Sequence, residues 1–171
     1  MIKFIIKFTL TAFLILILTA QKAEAVWKVP FDVKIGNPQN SIERNEYYQT
    51  QLIATKTVNN LISAYENKNF ARFMNFVSED FTLDKSILGS SIRQDYLKYS
   101  YIRINCFINN VVKSSDGKIA VSLNYTRTIE DRIAGKMTSD SGNTELILIK
   151  EDNVYKLFST RKPYLFGITG I

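Results

Sequence analysis

Ile102-Arg103-Ile104-Asn105-Cys106-Phe107-Ile108-Asn109 is where this chain changes its period. Ile102, Ile104, Cys106 and Ile108 alternate with Arg103, Asn105 and Asn109, the two-residue repeat of a strand with one face buried and the other wet. Downstream, Asp116-Gly117 predicts a hairpin turn, because both residues tolerate positive φ. Ile119, Val121, Leu123 and Tyr125 then alternate with Lys118, Ser122, Asn124 and Thr126. A third strand is expected around Glu145 to Lys150; Glu151-Asp152-Asn153 turns, and Val154 to Thr160 returns. Asp140-Ser141-Gly142-Asn143 is rich in oxygen but lacks the spaced acids of a calcium loop, so it reads as a turn.

Upstream of the switch the period is helical. Asn40-Ser41-Ile42-Glu43 has the form of a capping box. Tyr47, Tyr48, Leu52, Val58, Leu61, Ile62 and Tyr65 follow at three- and four-residue steps, predicting one apolar face on a long helix ending near Asn67-Lys68-Asn69. A shorter helix carries Phe70, Phe73, Met74 and Val77. Ser91-Ile92-Arg93-Gln94 predicts the start of a third helix through Tyr96, Leu97 and Tyr99. Helices first and strands afterwards give an α+β fold: three N-terminal helices packed on a curled antiparallel sheet of about four strands.

Composition closes several chemistries. The 171 residues are 46% apolar and 12% aromatic, with seven Gly and three Pro, which is the profile of an ordinary globular domain with enough bulk for a core. A single cysteine, Cys106, and no histidine exclude an internal disulfide, a Cys/His zinc site, and any Ser-His or Cys-His nucleophile. No metal and no cofactor are expected. Cys106 lies in phase with three isoleucines and reads as a small buried residue, since nothing near it in sequence would activate a thiol.

Residues 1–25 read as a secretory signal peptide. Lys3 and Lys7 precede an apolar run from Phe8 to Ala20, and Ala23-Glu24-Ala25 is a small-x-small cleavage pattern, which sets the expected site after Ala25. The run falls short of the roughly 20 residues of a spanning helix, and no cysteine stands at the cleavage point to carry lipid. Cleavage removes three lysines and one glutamate from totals of 22 and 16, leaving 19 against 15, a charge of +4. The expected location is the periplasm or the exterior of a bacterial cell, with membrane attachment only if the segment stays uncleaved. Residues 26–40, with Trp27, Pro30, Gly36 and Pro38, are expected to form an extended arm before a domain at 41–171.

The long helix, the Phe-rich helix ending in Phe76-Val77-Ser78-Glu79-Asp80-Phe81, the third helix and the strands joined by a Ser-Asp-Gly hairpin resemble the nuclear transport factor 2-like superfamily, also called cystatin-like or ketosteroid-isomerase-like. The resemblance covers Ser41 to Ile168 and implies a cone whose sheet wraps over the helices and leaves a pocket at its wide end. It also implies that enzymes, ligand binders, dimeric adaptors and secretion-machine subunits share the architecture.

In the isomerase branch a buried carboxylate acts as base, beside a Tyr and a protonated acid. Carried onto this chain, that role falls on Asp84 or Asp80, with Lys85 where an acid would align better and Tyr65 or Tyr96 as donor. The plain reading of both tyrosines is a core ring with its hydroxyl at the rim. In Arg127-Thr128-Ile129-Glu130-Asp131-Arg132, Arg127 could grip a ligand carboxylate, against the plainer reading of edge charges that pair across the sheet. Arg93 and Asp95, on the predicted third helix, take the same plainer reading.

Lys156, Phe158, Arg161, Lys162 and Tyr164 are basic and aromatic, but an exported chain of charge +4 is not expected to bind nucleic acid. Pro163-Tyr164-Leu165-Phe166-Gly167-Ile168 is too apolar to fray and is expected to close the cone, join the sheet or meet a second subunit. The leading expectation is an exported, non-catalytic binding or assembly module of the envelope. Its expected partners are a second copy across the exposed sheet face, an envelope protein, or a small apolar ligand. The alternatives are an isomerase- or cyclase-like enzyme and, with the N-terminal segment retained, a secretion-machine subunit.

Overall fold

The computed structural model describes residues 41–169; the expected signal segment, arm and Asn40 cap lie outside the described residues. Helix α1 (Ser41–Glu66), helix α2 (Phe70–Asn75) and helix α3 (Lys85–Lys98) precede strands β1 (Tyr99–Lys113), β2 (Ile119–Asp131), β3 (Met137–Glu151) and β4 (Val154–Thr160). The strands form one antiparallel sheet in the order β1-β2-β3-β4, with the helices against its inner face. This is the α+β arrangement expected from the change of period. Among the described residues no helix is long and apolar enough to cross a membrane.

Helix α1 packs through Ala54, Val58, Leu61, Ile62 and Tyr65, all buried. The expected apolar face is half right: Tyr48 and Leu52 are 64% and 53% exposed, and Tyr47 is exposed too. Their spacing is helical, but they stand on the first turns, where the described sheet does not cover them. Lys68, at φ 54, stops the helix, and Asn69 caps α2 by accepting from the Arg72 amide at 3.0 Å.

The third helix begins six residues before the predicted box. Asp84 is its cap, accepting from the Ser86 amide at 2.7 Å, while Ser91 sits mid-helix, buried, with its hydroxyl on the Ile87 carbonyl at 3.0 Å. Four-residue and three-residue steps bury Leu88, Ile92 and Asp95, so the inward face already existed before Ser91.

The β1–β2 hairpin turns at Gly117, φ 83, as Asp116-Gly117 predicts. Strand β2 runs on to Asp131, whose Oδ1 accepts from the Ile133 and Ala134 amides at 2.9 Å each and so shapes the next hairpin. Strand β3 is far longer than expected. Asp140-Ser141-Gly142-Asn143 is no turn: it pairs with Arg127-Thr126-Tyr125-Asn124 in register. Its small polar residues face solvent or a close neighbour, which hides the two-residue pattern in sequence. A bulge between Ile108 and Asn110 switches the inward positions of β1 from even to odd, burying Val111 in place of the next even residue and bending the sheet around the helices.

Candidate functional site

Tyr65 of α1, Phe73 of α2, Asp95 and Tyr96 of α3, and Arg127 of β2 meet inside the curl. The Tyr65 hydroxyl donates to Asp95 Oδ2 at 2.6 Å, and the Asp95 side chain belongs to a residue with 0% exposure. A buried carboxylate needs donors for its lone pairs. Here the remaining donors come from the segment that follows β4: the Ile168 amide at 2.9 Å, the Thr169 amide at 3.0 Å and the Thr169 hydroxyl. Burial above all, with the Asp95 charge added, pushes the Tyr65 phenol well above its ordinary range. Burial raises Tyr96 as well, and its ring lies 5.7 Å from that of Tyr65.

Arg127 is the second buried charge, 4% exposed. Its Nε and Nη2 meet Asp140 Oδ1 and Oδ2 at 3.1 and 2.6 Å, a two-pronged pair across the β2–β3 register. Its Nη1 donates to the carbonyls of Tyr164 and Leu165 at 2.9 and 3.0 Å. Between these two anchors Leu165 and Phe166 enter the curl, and Phe166 is 2% exposed. Its ring stands edge-on to Tyr65 at 5.3 Å and to Phe73 at 5.0 Å. A Cβ on Gly142 would come within 2.9 Å of Pro163 Cγ and 3.0 Å of the Tyr125 hydroxyl, so the segment crosses β3 where only glycine leaves room.

The interior where a ligand pocket was expected thus holds Leu165 and Phe166 of the segment that follows β4. Tyr65, Tyr96 and Arg127 do converge there, but the hydrogen bonds of Tyr65 and Arg127 go to the protein itself. Asp80 and Asp84 do not join them. Both are exposed; Asp84 caps α3, and the Ser86 hydroxyl, then the Ser86 amide, hold its carboxyl below the usual range. A cap must stand outside its helix end, and that requirement takes Asp84 away from the interior. Lys85 reaches Glu79 at 2.7 Å and the Val77 carbonyl at 3.1 Å. Arg127 does pair across the sheet, with Asp140, but from interior strand β2 rather than from an edge.

The interior acid is Asp95, which sequence reading set aside as a structural charge rather than a site residue. Its spacing of three and seven residues from Ile92 and Leu88 was the available signal. The segment matches the first of the three roles open to an apolar stretch after the last strand.

The outer face of the sheet is different in kind. Rows of side chains run across β1, β2 and β3: Asn105, Thr126 and Ser141, then Phe107, Asn124 and Asn143. They line a shallow groove of about 540 Å³. The Thr126 and Ser141 hydroxyls lie 3.0 Å apart, Asn109 Nδ2 donates to Asn124 Oδ1 at 2.6 Å, and Phe107 is 70% exposed. Cys106 turns the other way, half-buried, and burial raises its thiol.

No protein-family model matches this chain, and no curated protein matches it by sequence. Solved structures match its shape. A conserved protein from Planctomyces limnophilus superposes with a TM-score of 0.59 at 10% identity, over 66% of this chain and 94% of that one. ActVI-ORFA from Streptomyces coelicolor gives 0.55 at 12%, over 67% and 93%. A hexachlorocyclohexane dehydrochlorinase, LinA type 2, gives 0.54 at 8%, over 71% and 86%. These likenesses show the nuclear transport factor 2-like fold. Proteins of that fold include an enzyme and a protein whose name gives no activity, so the fold leaves the function to be argued from the site.

Proposed function

We propose that this chain is a non-catalytic binding module, exported to the bacterial envelope, which meets its partner through its outer surface rather than through the cone. One observation carries the reading: Leu165 and Phe166 occupy the interior, fixed by Arg127 on one side and Asp95 on the other. The exposure of Asp80 and Asp84 supports it, since neither can serve as a buried base. Export rests on the pattern of residues 1–25.

The test is whether the cone admits a probe. Anilinonaphthalene sulfonate added to the full chain should show no fluorescence gain, whereas Leu165→Ala/Phe166→Ala should bind it; strong binding by the unaltered chain overturns the reading. Sequencing the exported protein's N-terminus should start at Val26, and a retained Met1 would favour the anchored secretion-machine role instead.

A second reading, an isomerase- or cyclase-like enzyme, is favoured by the buried Tyr65–Asp95 pair at 2.6 Å. It requires residues 163–169 to withdraw before a substrate could reach that pair.

A further inference from the structure

We infer that the tip of the β2–β3 hairpin, together with the end of α3, docks on a lipid surface rich in anionic headgroups, with Ile133 and Leu97 entering the bilayer interface and the cations around them meeting the headgroups. The inference deepens the binding-module reading and rests on it, since it names the partner of the outer surface. It departs from the expectation that only a retained N-terminal segment would bring this chain to a membrane.

Four large apolar side chains are exposed at this end. Ile133 at the hairpin tip is 98% exposed and Leu97 in the last turn of α3 is 75% exposed, while Tyr101 and Met137 flank Glu130 in the neighbouring row of the sheet's outer face. Arg132 holds the tip against the helix end: its amide donates to the Lys98 carbonyl at 2.8 Å, its Nε to that of Leu97 at 2.9 Å and its Nη2 to that of Tyr96 at 3.2 Å. Residues 132–137 are all exposed, so the apolar surface projects rather than lining a groove. Aliphatic side chains held in water cost free energy unless something covers them.

A segment that leaves water must also have its main chain satisfied. The Asp131 amide donates to the Lys136 carbonyl at 3.0 Å and the Gly135 amide to the Asp131 carbonyl at 2.9 Å, while the Ile133 and Ala134 amides go to Asp131 Oδ1. With the Arg132 amide on Lys98, every main-chain N–H of residues 131–135 is bonded within the protein. At the end of α3 the carbonyls of residues 96–100 accept from Arg132 and Lys68.

Charge selects the kind of surface. Lys68, Lys98, Arg132 and Lys136 stand here, and none is ion-paired with a carboxylate among the described residues. Burial, and then the Arg132 charge, lower the Lys68 pKa, so two of these cations already repel each other. The carboxylates nearby are Glu130, which accepts from the Ser100 hydroxyl at 2.7 Å, and Asp131, which shapes the tip. Arg103 is balanced by Glu66 at 3.6 Å. Four cations against two carboxylates leave a charge of +2 around the exposed aliphatics. Anionic headgroups over an acyl layer complement both features, and Tyr101 suits the boundary with an apolar ring and a wet hydroxyl. Free phosphate or nucleic acid would leave Ile133 and Leu97 in water. A folded partner would need an acidic hollow shaped to a projecting tip, whereas a bilayer interface receives one without such a fit.

The test uses the protein as exported, cosedimented with vesicles of phosphatidylcholine alone and with about a third phosphatidylglycerol, at about 0.1 M and about 0.5 M salt. The anionic vesicles should bind it, less so at high salt. Leu97→Ser/Ile133→Ser should weaken binding roughly tenfold or more, and Lys98→Gln/Lys136→Gln roughly ten- to thirtyfold at low salt. All four side chains are exposed, so the urea midpoints should match that of the unaltered chain. No binding to anionic vesicles overturns the inference, as does equal binding to neutral ones or binding that both variants retain. A dimer in sedimentation equilibrium that Leu97→Ser/Ile133→Ser dissolves would also overturn it, by showing that a second copy covers the tip. Vesicle failure without probe fluorescence leaves the binding-module reading standing; probe fluorescence that persists in Leu97→Ser/Ile133→Ser comes from the cone and sinks that reading whatever the vesicles do.

Discussion

Replacing Asp95 with Asn should unfasten the cone. The carboxylate accepts from Tyr65 and Ile168 on Oδ2 and from the Thr169 amide and hydroxyl on Oδ1. Whichever way the new amide turns, its NH2 faces one hydroxyl and one main-chain N–H. The hydroxyl can rotate; the main-chain N–H cannot, and a buried donor left without an acceptor costs about 1–3 kcal/mol. Loss of the charge that strengthens the remaining bonds adds to this, so the expected destabilisation is about 3 kcal/mol.

For about 130 folded residues at about 2.1 cal/mol/K each, this lowers Tm by roughly 11 °C. With m of about 2 kcal/mol/M, the urea midpoint falls by about 1.5 M. Urea and thermal unfolding, followed by circular dichroism on Asp95→Asn and on Tyr65→Phe, measure it, and the double mutant should show a coupling of about 1 kcal/mol. A loss under about 0.5 kcal/mol, within the scatter of surface substitutions, would refute the claim that this carboxylate anchors residues 168 and 169.

Other outcomes follow from the same contacts. Gly142→Ala should cost about 1–3 kcal/mol, because its Cβ meets the Pro163 ring and the Tyr125 hydroxyl; a urea midpoint equal to that of the unaltered chain would show that the segment does not press on β3. Glu151 is held below its ordinary pKa of 4.5, first by the Ser78 hydroxyl and then by Lys156. Because the folded value is the lower one, its contribution is full above pH 4.5 and is lost as pH falls through the folded value. Unfolding at stepped pH should therefore show the gap between the unaltered chain and Glu151→Gln closing in acid. The Tyr65 phenol is raised above 10.0, so the stability it lends is whole below that pH and declines above it; absorbance titration should show the unaltered chain releasing one more late-ionising tyrosine on unfolding than Tyr65→Phe does, and equal numbers would refute it.

Sequence reading reached the architecture because period is a strong signal where side chains are large. Ile102, Ile104, Val121 and Leu123 mark their strands, and Asp116-Gly117 marks its turn without help from packing. It failed where small polar residues carry a strand. Asp140 to Asn143 look like a loop because the alternation there lies between a glycine under a proline ring and hydroxyls in water. Ser91 to Gln94 have the letters of a capping box but start six residues into a helix that Asp84 had already begun.

Of the site, Tyr65, Tyr96 and Arg127 were legible as candidates, yet what they touch was not. Asp95 and the amides of Ile168 and Thr169 lie 73 and 74 residues apart in the chain, and no local pattern announces a carboxylate with donors so distant.

The claim that its own chain closes the cone is tested most directly by amide hydrogen exchange at Ile168 and Thr169 in the intact protein. Protection comparable to that of the β2–β3 core is the expected result, since both amides are bonded to a buried carboxylate. Exchange at the rate of an open loop would contradict it, and would return the cone to the list of places where a ligand binds.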